Sequence, residues 1–147
     1  MTVSFIPPNV FPHVHEVATS LLESAVAQAH GRETIPDIWY RLGRGEYQLW
    51  MAFEDEDTPL GALVTRLEEY PNARMLNYLY VGGDDMASWH QEMLDILERF
   101  AKDNDCAGME IIGRKGWERF MKKFGWETKH IVCEKFFTDK EKEDVAA

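Results

Sequence analysis

Apolar residues along this chain switch between a helical and a strand rhythm, and the switches set the predicted order of elements. Over residues 14–29 they fall at Val17, Leu21, Leu22, Ala25 and Ala29, one helical face that His30-Gly31 closes. Thr34 or Ile35 can cap a short second helix with Pro36 in its first turn and Ile38, Trp39 and Leu42 on its apolar side. Residues 47–53 read as a strand, with Tyr47, Leu49, Met51 and Phe53 opposite Trp50 and Ala52. Both faces are apolar, which predicts cover on two sides. An acidic turn with Thr58-Pro59 leads to a second strand over 60–67, making a hairpin. Tyr70-Pro71-Asn72 turns the chain into a third over 75–81, where Met75, Asn77, Leu79 and Val81 alternate with Leu76, Tyr78 and Tyr80.

The rhythm then returns to helix. Ser88 and Gln91 have capping-box spacing, followed by Trp89, Met93, Leu94, Ile96, Leu97 and Phe100 as the clearest apolar stripe in the chain. A short strand is predicted at 109–112, and Trp117, Phe120, Met121 and Phe124 mark a short helix stopped by Gly125. A last strand is expected at 130–137, and the charged tail 138–147 is expected to fray. Pro7, Pro8 and Pro12 make residues 1–13 an extended arm, with Phe5, Ile6 and Phe11 either docking or staying free. No repeat or linker divides the body at 14–137.

Composition narrows the classes. The 147 residues suit one core, and 8 Phe, 5 Tyr and 5 Trp give it bulk. A net charge of −10 speaks against nonspecific nucleic-acid or anionic-membrane binding. No apolar run is long enough for a membrane span, and no secretion signal opens the chain, so a cytoplasmic location is expected. Cys106 and Cys133 have no metal or redox spacing and read as free thiols. His13, His15, His30, His90 and His130 show no ligand spacing, so no metal is expected. Arg114-Lys115, Arg119 and Lys122-Lys123 form a local basic cluster, either a balanced helix surface or a contact for an anion.

Two motifs bear on chemistry. Val81-Gly82-Gly83-Asp84-Asp85-Met86-Ala87-Ser88 puts two glycines before a helix start, where free N–H groups favour anions. It is also an ordinary acidic turn. Gly125-Trp126 closes the short aromatic helix. Taken with the order helix, helix, three antiparallel strands, helix, strand, helix, strand, these motifs resemble the GNAT acetyltransferase superfamily over residues 14–137.

The resemblance implies an α+β fold with a mixed, mostly antiparallel sheet flanked by helices, splayed near 75–81 and 109–112. It implies acetyl-CoA in that gap, its pantetheine along the first of these strands and its pyrophosphate at the helix start near Ser88. The cofactor contacts carried over are Leu79, Tyr80, Val81, Gly82, Gly83, Ala87, Ser88 and Arg114. The chain departs from the family pattern in three places. The loop lacks the family's amide or basic residue, and Asp84 and Asp85 place negative charge where a pyrophosphate would lie; Met121 stands where many members carry a proton-donating Tyr, and Gly113-Arg114 replaces the usual Asn. Glu68, Glu69, Tyr78, Tyr80 and Glu110 could remove the acceptor's proton, with Glu68 and Tyr80 the catalytic candidates.

Two function classes follow. One is an N-acetyltransferase acting on acyl-CoA and an unknown amine. The other is an inactive GNAT-like scaffold with a structural, assembly or host-interaction role through a protein partner or self-association. The second is similar to small GNAT-like proteins of tailed bacteriophages, some virion-associated, and the Phe120-Met121-Lys122-Lys123-Phe124-Gly125 segment carries that likeness.

Overall fold

The computed structural model describes residues 1–29, 31–113 and 115–146. The chain forms two compact units, Met1–Ile111 and Ile112–Ala147.

In the first unit, β1 (Thr2–Ile6) leads through a short 3-10 turn into α1 (Phe11–Ala27) and α2 (Ile35–Gly43). β2 (Gln48–Phe53), β3 (Pro59–Tyr70) and β4 (Ala73–Gly83) follow, then α3 (Met86–Asp103) and β5 (Gly108–Ile111). The five strands lie in sequence order, antiparallel except for the parallel β4–β5 pair. The architecture is α+β, a mixed sheet with helices on both faces.

The amino-terminal residues are more ordered than an arm. Val3 and Ile6 are buried in a strand paired with β2, and Phe5 meets the Trp50 ring edge-on at 5.3 Å. α1 starts at Phe11, ahead of the expected position, because Pro12 is tolerated in a first turn. α2 is capped by Thr34, whose side chain and that of Asp37 form a reciprocal box. α3 is not capped by Ser88. Its N-cap is Asp85 in the left-handed region (φ 52), and the Ser88 hydroxyl donates back to the Asp85 carbonyl at 2.7 Å.

The sheet separates two cores. One face packs Leu49, Met51, Ala62, Val64 and Tyr80 against Ala18, Leu22 and Val26 of α1 and Ile38 and Leu42 of α2. The other faces α3, where Trp89, Met93 and Leu97 are fully buried and Trp50 meets Phe100 edge-on at 5.1 Å. The even alternation expected along the third strand does not hold. Opposite Val64 lies Tyr80, but opposite Thr65 lies Tyr78, so Leu79 is an extra residue, a β-bulge in β4.

In the second unit, α4 (Lys115–Lys122) carries Trp117 and Phe120 in edge-on contact at 5.5 Å, and Met121 is buried. The strand expected at 130–137 is absent: residues 126–138 carry neither helix nor strand, and 127–140 are exposed. Alternation proposes a strand, but only ladder partners make one. The tail expected to fray is instead helical, α5 (Asp139–Ala146). No helix among the described residues is long and apolar enough to cross a membrane.

Candidate active site

Two structural consequences meet at β4. The first is an open edge. β5 pairs with β4 only from Met75↔Gly108 to Tyr78↔Ile111, while β4 runs on to Gly83. From Leu79 onward the edge turned away from β3 has no strand partner among the described residues. This is the splay expected between 75–81 and 109–112. The edge ends at the entrance to α3, where the N-cap Asp85 makes no side-chain cap and the Ser88 amide donates to the Asp85 carbonyl at 3.0 Å, with the Met86 and Ala87 amides ahead of it at the helix start.

The glycines there have packing work. A Cβ on Gly82 would lie 1.9 Å from the Leu21 carbonyl oxygen of α1. Gly83 has φ +141, and a Cβ there would lie 2.2 Å from the Leu60 carbonyl oxygen. Close backbone approach therefore serves α1 and β3. Asp84 and Asp85 have exposed side chains, and no basic residue occurs between Leu79 and Ser88. Arg114, the cation expected for the phosphates, lies outside the described residues.

The second consequence is a polar cluster beneath α2. The bulge sends Tyr80 to the α1–α2 face, where its hydroxyl donates to Glu33 Oε1 at 2.6 Å. The Tyr47 hydroxyl stands 2.9 Å from both Glu33 oxygens, and Arg41 Nε lies 3.2 Å from Oε2. Burial and the Glu33 carboxylate push the Tyr47 phenol up to about 12, and the same causes raise Tyr80 further. Both hydroxyls thus stay protonated as donors. Glu33 is positioned by the α1–α2 connection, which Gly31 (φ +77) bends and the Thr34 cap ends. Trp39 Nε1 ties α2 to Thr19 of α1 at 2.9 Å. Glu33, Asp37 and Glu46 line a surface cleft of about 470 Å³ together with Arg32, Arg41, Arg44 and the Tyr40 ring.

The expected proton acceptors are scattered. Glu68 is half-buried and paired with Arg66. It stands opposite Met75, five residues along β4 from Tyr80, about 16 Å at the rise of a strand. The structure does not bring Glu68 and Tyr80 together; Glu33 is Tyr80's partner instead. Glu69 pairs with Arg74, and Glu110 accepts from the Tyr70 hydroxyl at 2.7 Å. Tyr78 points to the opposite face, its hydroxyl 2.7 Å from His90 Nε2 in a buried pair. Burial holds His90 down to about 4 and Tyr78 well above the usual phenol range, so both are neutral. Sequence reasoning missed Glu33, which sits between two helices with no periodic signal. Among the described residues no three His, Cys, Asp or Glu side chains gather as metal ligands would.

No protein-family model and no curated protein sequence matches the chain. Solved structures do. A GNAT family acetyltransferase of Staphylococcus aureus superposes with TM-score 0.63 at 13% identity, over 92% of this chain and 98% of that one. A predicted acetyltransferase of Clostridium acetobutylicum, solved with acetyl-CoA, gives 0.65 at 12% identity, over 92% and 95%. An aminoglycoside acetyltransferase from an uncultured soil metagenomic sample, in complex with sisomicin, gives 0.67 at 12% identity, over 93% and 95%. The fold is the GNAT fold. At such identities the likeness covers the fold alone.

Proposed function

We propose that the chain is an acyl-CoA-dependent N-acyltransferase that uses acetyl-CoA and an amine acceptor. The observation that carries this reading is the open edge of β4 from Leu79 to Gly83, running from the bulge to the start of α3. An extended pantetheine can add to such an edge as a strand would. The backbone at Leu79, Tyr80, Val81, Gly82 and Gly83 would hold it, with Ala87 and Ser88 beside the phosphates at the helix start. A bulge leaves its extra residue outside the ladder, so backbone polar groups at Leu79 are free to face a thioester carbonyl. When bound, acetyl-CoA supplies the activated acyl group. The protein supplies position, bringing the neutral amine nitrogen to the carbonyl so that a C–N bond replaces the C–S bond, and CoA leaves as the thiol, its sulfur taking up the equivalent of the proton that the amine gives up. The residues present fit pantetheine better than phosphate, because the acidic pair Asp84-Asp85 stands where a cation would help. The solved structures of similar fold, one with acetyl-CoA and one with an aminoglycoside, support the reading.

Thermal unfolding with and without millimolar acetyl-CoA tests it. Ligand at 100 times its dissociation constant stabilises by about 2.7 kcal/mol, a rise of several degrees for a domain of this size. Ala87→Glu is the informative variant. Ala87 is exposed in the first turn of α3, where an acid is compatible with the helix but repels phosphates. The rise should disappear in this variant while the unliganded midpoint holds. No rise in the parent chain, or an equal rise in the variant, would sink the assignment.

A second reading has its own support. Gly82 and Gly83 are accounted for by packing, and Met121 is a buried residue where a proton donor would stand. These features suit a GNAT-like scaffold with a structural, assembly or host-interaction role, phage virion-associated in its most specific form. It predicts no acetyl-CoA shift and a protein partner or self-association instead.

A further inference from the structure

We propose that Glu33 receives the primary ammonium of the acceptor, held in place for that task by the Tyr47 and Tyr80 hydroxyls. The inference rests on the acyltransferase reading for its context and on the α1–α2 cluster for its geometry.

The hydrogen-bond count is the starting point. An ionised carboxylate offers about four acceptor positions. Tyr47 has one proton to share between oxygens that are both 2.9 Å away. Tyr80 gives one to Oε1 at 2.6 Å, and Arg41 Nε one to Oε2 at 3.2 Å. Three protons leave one position, and the side chain keeps 15% of its surface exposed. Arg41 does not neutralise Glu33 alone. Its Nη1 lies 3.2 Å from Glu46 Oε2, and its guanidinium stands 5.5 Å over the Tyr47 ring. Its charge is divided between two carboxylates.

The surroundings select the ligand's chemistry. Two buried phenols with their protons committed to Glu33 present lone pairs, not protons, to anything else nearby. A partly desolvated carboxylate flanked by hydroxyl acceptors suits a group that only donates, and a primary ammonium is such a group. It is also the form in which a primary amine reaches an N-acyltransferase at neutral pH, and it gives up one proton to solvent before its nitrogen attacks. Position agrees as well, since Tyr80 directly follows the bulge at Leu79, where the open edge of β4 begins. One hydrogen bond separates Glu33 from the strand proposed to carry the thioester. Glu33 also reaches the surface cleft of about 470 Å³, a route for a small amine.

The test uses the full chain and tyramine as probe, with p-ethylphenol as the same body lacking the ammonium. Backbone amide shifts of Glu33, Tyr47 and Tyr80 are followed by NMR without acetyl-CoA. The site predicts saturable shifts with tyramine and none with p-ethylphenol. Glu33→Gln should weaken tyramine roughly tenfold or more, the effect of losing a charged acceptor, and leave the acetyl-CoA thermal shift intact. Tyr80→Phe should give a smaller loss, because the carboxylate remains but is less firmly aimed. Equal binding of tyramine and p-ethylphenol, undiminished tyramine affinity in Glu33→Gln, or silence at all three amides overturns the proposal. The parent-chain comparison decides even where a variant fails to fold. The two readings also separate. Amine binding without an acetyl-CoA shift keeps the site and removes the acyltransferase, and the reverse removes the site alone.

Discussion

Tyr78 and Tyr80 stand two residues apart on one strand and meet opposite surroundings. Tyr78 is sealed against α3, 2.7 Å from a neutral, buried His90. Tyr80 faces α1 and α2 and gives its proton to Glu33, a carboxylate in contact with solvent. In a regular strand two such residues share a face. The extra Leu79 separates them, so one added residue puts one phenol in a dry core and the other in a polar groove. The two faces differ accordingly. Both faces carry an apolar core, and the α1–α2 face adds the charged cluster of Glu33 and Arg41 around the Tyr47 and Tyr80 hydroxyls.

Deleting Leu79 attacks that division directly. A bulge-free β4 must send one tyrosine to the wrong face, which buries a phenol without its partner. The expected loss is about 4 kcal/mol or more by chemical denaturation. A loss under about 1 kcal/mol would mean that the bulge does not sort the faces. Trp89→Ala comes next and touches only the α3 side. Trp89 is fully buried, its ring lies where a Cβ on Gly61 would come within 2.3 Å, and its Nε1 donates to the Asp84 carbonyl at 2.8 Å. The expected cost is about 3–5 kcal/mol. A cost like that of a surface substitution would show that this core is not packed as described.

Proton linkage sharpens the contrast at a smaller scale. His90 is held down to about 4 in the fold from an ordinary 6.5, so its contribution is complete above the ordinary value. It is lost as pH falls toward about 4, because the unfolded chain takes up the proton first. The effect is roughly 1–2 kcal/mol after allowance for screening. Tyr47 works in the other direction: its phenol rises from 10.0 to about 12, so its contribution is complete below the ordinary value. It fades as pH climbs through the folded one. Stability measured against pH should therefore show an acid limb that His90→Phe flattens and a basic limb that Tyr47→Phe reduces. An acid limb unchanged in His90→Phe would contradict a neutral His90. The smallest effect is Tyr47→Phe at neutral pH. One donor to a carboxylate is removed, for about 1–1.5 kcal/mol. A variant as stable as the parent would show that the Tyr47–Glu33 contact contributes little.

Much of the framework was readable along the chain. The helical face of α3, the Thr34 cap, and the hairpin through Thr58-Pro59 appear where local pattern places them, because each is decided by neighbours within a few residues. The stripe of α1 is turned from the expected one: Val14, Ala18, Leu22 and Val26 are buried, while Val17, Leu21, Ala25 and Ala29 are only partly so, because packing on the sheet selects the face. The misses share a cause. Residues 2–6 looked like an arm because their partner strand is more than forty residues away. Residues 130–137 looked like a strand because alternation resembles pairing without supplying it. In the candidate site Tyr80 could be singled out from its strand, but its assumed partner Glu68 could not be checked, since a strand pattern does not give distance along the sheet.

The sequence by itself determined the fold class, through rhythms that bury one stripe of each helix and both faces of a central strand. It also determined the acidic character of the turn before α3, which carries Asp84 and Asp85 and no basic residue, since those charges are carried by adjacent residues. Only the tertiary structure decided where β4 loses its neighbour, which face Tyr80 takes, and that Glu33 lies within 2.6 Å of it across 47 positions. Such facts depend on register, on a single unpaired residue and on how a connection between two helices settles on the sheet. Each is a balance of long-range contacts that no local window contains.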